Sequence, residues 1–161
     1  MPERPAVNAS PLIFLAKADL LDLLQLVGKE IVVPAPVARE IEQRGRSDPT
    51  ARAIENTAWL VVLDIPSVPE QIQSWDLGIG ESSVLAWAYS HPGTIAILDD
   101  LAARRCAATL GIPVRGTLGL VLAAKKLGRI SKARPILDKL RSSGMYLSER
   151  IVNEALSLVG E

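Results

Sequence analysis

The sequence predicts an α/β fold, a parallel sheet with helices on both sides, in a single domain spanning residues 1–161. Three observations carry this. Short apolar runs alternate with longer stretches of helical periodicity along the whole chain. The run Ile95-Ala96-Ile97-Leu98 is apolar without alternation, the pattern of a strand covered on both faces. Finally, 161 residues of which 48% are apolar suffice for a proper core, and no internal repeat or low-complexity linker divides them.

Each element has its own signal. Ala6-Val7 reads as a brief first strand. From Pro11 to Val27 the apolar residues Leu12, Leu15, Leu20, Leu23, Leu24 and Val27 keep helical spacing. Ile31-Val32-Val33 is a second strand stopped by Pro34, and Pro36 suits the first turn of a helix running to about Arg44. Asp48-Pro49 opens the next helix, with Asp as N-cap and Pro at the first helical position. Leu60–Leu63 is the third strand, and the segments around Gly45-Arg46-Ser47 and Pro66–Pro69 read as loops. Gly78-Ile79-Gly80 is a turn before a helix from Glu81 to about Tyr89, which His91-Pro92-Gly93 breaks. After the fourth strand a helix runs from Leu101 to Leu110 and ends at Gly111. Ile112-Pro113-Val114 is a short strand, and helical patterns at 118–127, 134–142 and 148–158 finish the chain.

Composition narrows the class. The one cysteine, Cys106, rules out a disulfide within the chain and argues against a Cys-based zinc site; a reducing, cytoplasmic setting fits. No apolar run approaches the roughly 20 residues of a membrane span. The N-terminal stretch lacks the pattern of a signal peptide, with an acid, Glu3, among its first residues. Net charge is zero but uneven. Residues 1–100 carry seven Lys/Arg against fourteen Asp/Glu, and residues 101–161 eleven against four. A metal-holding pocket beside a phosphate-binding rim would give this asymmetry; so would exposed helix faces that happen to differ in sign.

The acids are the most telling residues. In a parallel α/β sheet, ligands bind along the carboxyl edge of the strands. Asn8 follows the first strand, Asp99 and Asp100 follow the fourth, Glu81 opens its helix, and Glu40 lies in the first turns of the helix after the second strand. All five belong to that one edge. Glu40 beside Val37 and Ile41, and Glu81 beside Val84, Leu85 and Ala88, are placed by spacing on the apolar side of their helices. A carboxylate there calls for a cation or hydrogen-bond donors. Acids also favour helix N-termini for their own sake. Taken as a set, oxygen ligands of this kind suit Mg²⁺ or Mn²⁺, and such a cation supports phosphodiester chemistry.

The segments VNASPLI, VPAPVAREIE, LGIGESSVLAWA and AILDDLAARRCAATLGIPVRGTLG together resemble the PIN-domain superfamily, in a branch related to the VapC-type toxins of toxin–antitoxin pairs. The resemblance covers nearly the whole chain. It implies a three-layer α/β/α sandwich with a five-stranded, mostly parallel sheet, and Mg²⁺- or Mn²⁺-dependent endoribonuclease activity acting on RNA. It also implies a homodimer and a small antitoxin partner. Position by position, Asn8 stands where PIN domains usually carry their first Asp. Ser10 matches the small hydroxyl residue two places on, Glu40 and Glu81 the next two acids, and Asp99-Asp100 the fourth, with Asp100 the better alignment. Thr117 falls at the rim. Asn at position 8 offers a neutral carbonyl oxygen instead of a carboxylate, which weakens cation binding without abolishing it.

Other features leave alternatives open. Arg104 and Arg105 either contact phosphate or neutralise the acids. Lys125, Lys126, Arg129, Lys132 and Arg134 form either an RNA-binding run or a solvated helix face. The glycine turns before Glu81 and Thr117 match neither a P-loop nor a dinucleotide fingerprint and read as caps. His91 reads as a surface loop residue, and Trp75 is a candidate for exposure at an interface. A catalytically silent module that binds RNA or protein is the rival reading. A phosphoacceptor receiver domain is disfavoured, because the first strand ends in Asn8 and not in an acid cluster.

Overall fold

Five strands form one sheet, β1 (Ala6–Val7), β2 (Ile31–Pro34), β3 (Leu60–Leu63), β4 (Ala96–Ile97) and β5 (Val114–Arg115), in the order β3-β2-β1-β4-β5. The computed structural model describes residues 4–161, so Glu3 lies outside the described residues. Every neighbouring pair is parallel. Ala6 pairs with Val32 on one side and Ala96 on the other, Ile31 with Leu60, and Ala96 with Val114. The central strands are short but wholly apolar: Ala6, Val7, Ile31, Val32, Val33, Ala96 and Ile97 are all fully buried. Covering both faces of such strands is what their non-alternating sequence demands. The edge strand β3 is only half covered, and Val62 is exposed.

The strand order sets the place of any ligand. From β1 the chain steps outward to β2 and β3. It then returns across the sheet to β4 on the other side of β1. The carboxyl ends of β1 and β4 therefore flank the point where the winding reverses, where open α/β sheets leave a crevice.

The helices are α1 (Ala9–Lys17), α2 (Ala35–Glu42), α3 (Pro49–Asn56), α4 (Glu70–Gln73), α5 (Ile79–Ser90), α6 (Leu101–Thr109), α7 (Thr117–Lys126), α8 (Arg134–Ser142) and α9 (Glu149–Leu158). Helix α5 lies against β1, β2 and β4, and its stretch from Ser83 to Ala88 is buried. Helix α1 packs on α2, α3, α7 and α8, with Leu12 and Leu15 fully buried. Each such side chain contributes about 1.5–3 kcal/mol relative to exposure. Asp48 caps α3 as its sequence predicts, accepting from the Thr50 and Ala51 N–H groups. Burial opposes its charge, but those N–H groups and Arg44 outweigh it and hold Asp48 below the usual carboxylate range. Gly111, at φ +70°, ends α6 in the left-handed conformation that glycine adopts freely.

Two elements depart from expectation. The predicted helix from Pro11 to Val27 is two pieces. α1 stops at Lys17, Asp19 turns at φ +59°, and a 3-10 helix runs from Leu21 to Leu26. The apolar spacing of Leu20, Leu23 and Leu24 continues across the turn because both pieces face the same core. The single turn α4 lies in a polar stretch too short for periodicity to reveal, and it is fastened by buried Ile72.

Glu161 supplies a cap that α8 lacks locally. Its carboxylate accepts from the Ala133 N–H at 2.7 Å and the Arg134 N–H at 3.3 Å, and lies 3.5 Å from Lys125 Nζ. The Ala133 N–H above all, with Arg134 and Lys125, holds its carboxyl below the ordinary value. Lys125, one of the basic run, is thus engaged within the fold, whereas Lys126, Arg129, Lys132 and Arg134 are exposed. Among the described residues no helix is long and apolar enough to cross a membrane.

Candidate metal centre

Asn8 sits where β1 gives way to α1, at the switch point. Its backbone N–H donates to the Ile97 carbonyl, so the β1–β4 ladder fixes it. The residue is 5% exposed, and its side-chain Oδ1 is buried without a hydrogen-bond partner. A buried oxygen left unmatched costs about 1–3 kcal/mol, so such an atom calls for a ligand. Gly80, in the first turn of α5, lies directly against it. A Cβ on Gly80 would stand 2.8 Å from Asn8 Oδ1 and 3.4 Å from Glu40 Oε1. The missing side chain leaves the space into which these two oxygens converge, one from β1 and one from α2.

Asp99 follows β4 and is held from the opposite wall. Thr117 donates its backbone N–H to Asp99 Oδ1 and its hydroxyl to Oδ2, both at 2.7 Å. Ser10 Oγ donates to Oδ2 at 3.4 Å, bridging the switch point from α1. The N-cap of α7 is Gly116, which has no side chain, so Asp99 serves as its remote cap. A Cβ on Gly116 would lie 3.0 Å from Arg104 Nη1 and 3.2 Å from Asp99 Oδ1. Arg104 is therefore beside the Asp99 carboxylate, yet makes no ion pair within 4.0 Å among the described residues.

Glu81 occupies the first turn of α5, partly buried, with its carboxylate folded back toward Gly78. Glu40 is exposed, not on the apolar face that spacing suggests. Val37, Ala38 and Ile41 form the buried stripe of α2, and Glu40 flanks it toward Gly80. Asp100 is exposed and its carboxylate accepts from the Ala103 N–H at 2.9 Å, capping α6. Adjacent residues at a strand end point apart, and here Asp99 turns to Thr117 while Asp100 turns to its own helix. Arg105 is exposed on α6. His91 stacks on Trp87 at the far end of α5 from Glu81, and Trp75 is partly buried against the core.

The acids thus share the carboxyl edge but do not gather as tightly as their sequence suggests. Among the described residues, no three of His, Cys, Asp and Glu cluster closely enough to hold a metal ion by themselves. Mg²⁺, however, keeps several waters and takes only one or two carboxylates from a protein. An orphaned amide oxygen, a glycine-made gap and carboxylates of oxygen-only chemistry fit that requirement. Sequence reading takes both glycine segments as turns and caps; Gly116 is indeed the N-cap of α7, whereas Gly80 lies inside α5 and leaves the gap beside Asn8. A glycine inside a helix beside an acid was the available signal.

A family model described as a PIN domain matches residues 5–161. The chain belongs to the PIN-domain family. The five-stranded parallel sheet with its flanking helices is the α/β fold this membership entails. PIN domains are nuclease-type folds that typically use divalent metals, and the oxygen-lined switch point of this PIN domain suits that chemistry. No curated protein matches the chain.

Proposed function

We propose that this PIN domain is a divalent-cation-dependent endoribonuclease of the cytoplasm, the toxin half of a toxin–antitoxin pair, working as a homodimer. The observation that carries the nuclease reading is the buried, unpartnered Asn8 Oδ1 facing Glu40 across the gap at Gly80. Asn8 and Glu40, with Asp99 and Glu81 nearby on the same edge, would hold Mg²⁺ or Mn²⁺. When bound, such a cation polarises a phosphodiester and lowers the pKa of water. The chain supplies the rest. Thr117 and Ser10 orient the Asp99 carboxylate, so its position does not depend on a flexible rotamer. Arg104, unpaired within 4.0 Å among the described residues, is free to meet a phosphate oxygen beside Asp99. Arg105 and the exposed basic residues of α7 and the following turn would attract RNA backbone from further out.

The test is cleavage of a fluorogenic single-stranded RNA by the purified protein in Mn²⁺ or Mg²⁺, against a chelator control. Cleavage should require the cation and fall at least 100-fold in Glu81→Ala. Cation-independent cleavage, or full activity in Glu81→Ala, would refute the site. The toxin assignment has its own readout: induced expression should arrest growth, and co-expression of a small neighbouring gene should relieve it.

The second reading, a binding module without catalysis, is favoured by one observation. The neutral Asn8 and the lack of a three-acid cluster among the described residues leave the site short of charge. Asn8→Asp separates the two readings. A weak nuclease gains both cation affinity and cleavage from the added acid, whereas a silent module gains affinity at most.

A further inference from the structure

A cavity of about 350 Å³ opens where α2 and α5 meet the segment from Ile65 to Leu77, and none of the site's acids lines it. The two helices of the acid site each lend residues to its wall. On α2, Pro36 lines the cavity one helical turn before Glu40. On α5, Ile79, Ser82 and Ser83 line it, while Gly80 and Glu81 between them belong to the acid site. We infer that this cavity is a nucleobase subsite, seating one base of an RNA strand whose phosphate would meet the cation that Asn8 and Glu40 would hold. The inference rests on the nuclease reading above and names the part of the substrate that reading leaves unplaced.

Three observations select a base over a phosphate or an extended chain. The walls are mostly apolar, formed by Pro36, Pro66, Ile65, Val68, Leu77 and Ile79, side chains suited to cover the face of a ring. No Lys or Arg lines it among the described residues, and Asp76 does, so a phosphate is repelled where a neutral base is not. The rim offers Gln73, tied through Nε2 to the Val68 carbonyl, with Asp76 and the Ser67 and Ser82 hydroxyls. A carboxylate, amide and hydroxyls accept from the exocyclic amino and ring N–H groups of a base edge. The volume is at the small end of ligand sites, which run from roughly 300 to 1,000 Å³. Ile79 stands at the mouth 78% exposed, an apolar side chain that a stacked base would cover. Asp76 holds φ +53°, a left-handed backbone uncommon outside glycine, and such residues concentrate at ligand clamps.

The experiment compares AMP, GMP, CMP and UMP with ribose 5-phosphate by titration calorimetry on the full chain in millimolar Mn²⁺. The five probes share the phosphate and sugar and differ in the base. At least one nucleotide should bind about 10-fold tighter than ribose 5-phosphate. Ile79→Ala should cut that ratio several-fold and Ser82→Phe, which fills the cavity, should bring it to about 1, with ribose 5-phosphate binding unchanged. Equal binding of all five probes, binding of none, or selectivity that survives both variants would overturn the subsite. Should Ser82→Phe fail to fold, Ile79→Ala decides, since truncating so exposed a side chain leaves the core intact. The two readings fail separately. Base selectivity without RNA cleavage keeps the subsite and sinks the nuclease, and cleavage without base selectivity does the reverse.

Discussion

Replacing Asn8 by Asp perturbs one atom at the centre of the proposed site, and its consequence can be worked out. Asn8 Oδ1 and Glu40 Oε1 lie 2.8 and 3.4 Å from a single point, the Cβ that Gly80 lacks, so they are at most about 6 Å apart. Two unit charges at that separation repel by about 2.8 kcal/mol at an effective dielectric of roughly 20. Glu40 is exposed, and solvent screening equivalent to a dielectric of roughly 40 halves this to about 1.4 kcal/mol. For a chain of this length each kcal/mol moves Tm by about 2–4 °C. In chelator, Asn8→Asp should therefore melt roughly 3–11 °C below the wild type. Desolvation of a new carboxylate at a 5% exposed position pushes in the same direction. Millimolar Mn²⁺ should reverse the loss, because a cation between the two oxygens converts the repulsion into shared attraction, and the variant should bind Mn²⁺ more tightly than the wild type. Thermal melts in EDTA and in Mn²⁺ measure both effects. If the variant melts with the wild type in EDTA and Mn²⁺ shifts neither, Asn8 and Glu40 do not form one cation site.

Three further outcomes follow from distances already given. Gly80→Ala gains up to about 1 kcal/mol in helix propensity, but its Cβ would stand 2.8 Å from buried Asn8 Oδ1, and overpacking of that kind costs about 1–3 kcal/mol, so the variant should be no more stable than the wild type. The same Cβ intrudes on the gap, so Mn²⁺ affinity should drop at least 10-fold by calorimetry; unchanged affinity in the folded variant would remove Gly80 from the site. Thr117→Val deletes the hydroxyl that donates to Asp99 Oδ2 and should cost about 1.5–3 kcal/mol in urea unfolding, with retained secondary structure by circular dichroism; a change under about 0.5 kcal/mol would show the bond to be idle. Glu161→Gln tests the remote cap through pH. Because the native carboxyl is held below its ordinary value of 4.5, its stabilisation is complete above that value and fades as pH falls through the lower native one. The Tm gap between wild type and Glu161→Gln should be full at pH 7 and close in acid, and a gap independent of pH would refute the charge as its cause.

Sequence legibility followed the range of the interaction. Asp48-Pro49 declared its helix because both capping signals are local, and the structure uses Asp48 as that rule requires. The strands were readable as apolar runs and the five-stranded sheet came from the family resemblance, but the order β3-β2-β1-β4-β5 rests on contacts between strands distant in sequence and emerges only in the structure. The break after Lys17 was hidden, since a positive φ at Asp19 leaves no trace in apolar spacing. The acids were placed on the correct edge because a parallel sheet dictates which ends of its strands share a side. Their individual orientations were not so dictated. Asp99 and Asp100 are neighbours whose carboxylates turn different ways, Asp99 to Thr117 eighteen residues on and Asp100 to its own helix at Ala103. One local clue existed: Asp100 directly precedes a helix and stands three residues before Ala103, the spacing of an N-cap. Glu40 looked apolar-facing because Val37 and Ile41 bracket it, yet a residue three positions from a buried one lies equally on a flank.

The three hydrogen bonds on Asp99 bear on how an inactive form of this protein should be made. Asp99 caps α7 from a distance as well as lying at the proposed site, so removing its carboxylate takes away a helix cap and a proposed cation ligand together. A loss of cleavage in Asp99→Ala would then not separate the two causes. Glu81 carries no such second duty among the hydrogen bonds of the described residues. Glu81→Gln is therefore the cleaner knockout, and Asp99→Asn, which keeps an acceptor for the Thr117 N–H but replaces the oxygen that takes the Thr117 and Ser10 hydroxyls with a donor, perturbs more than charge.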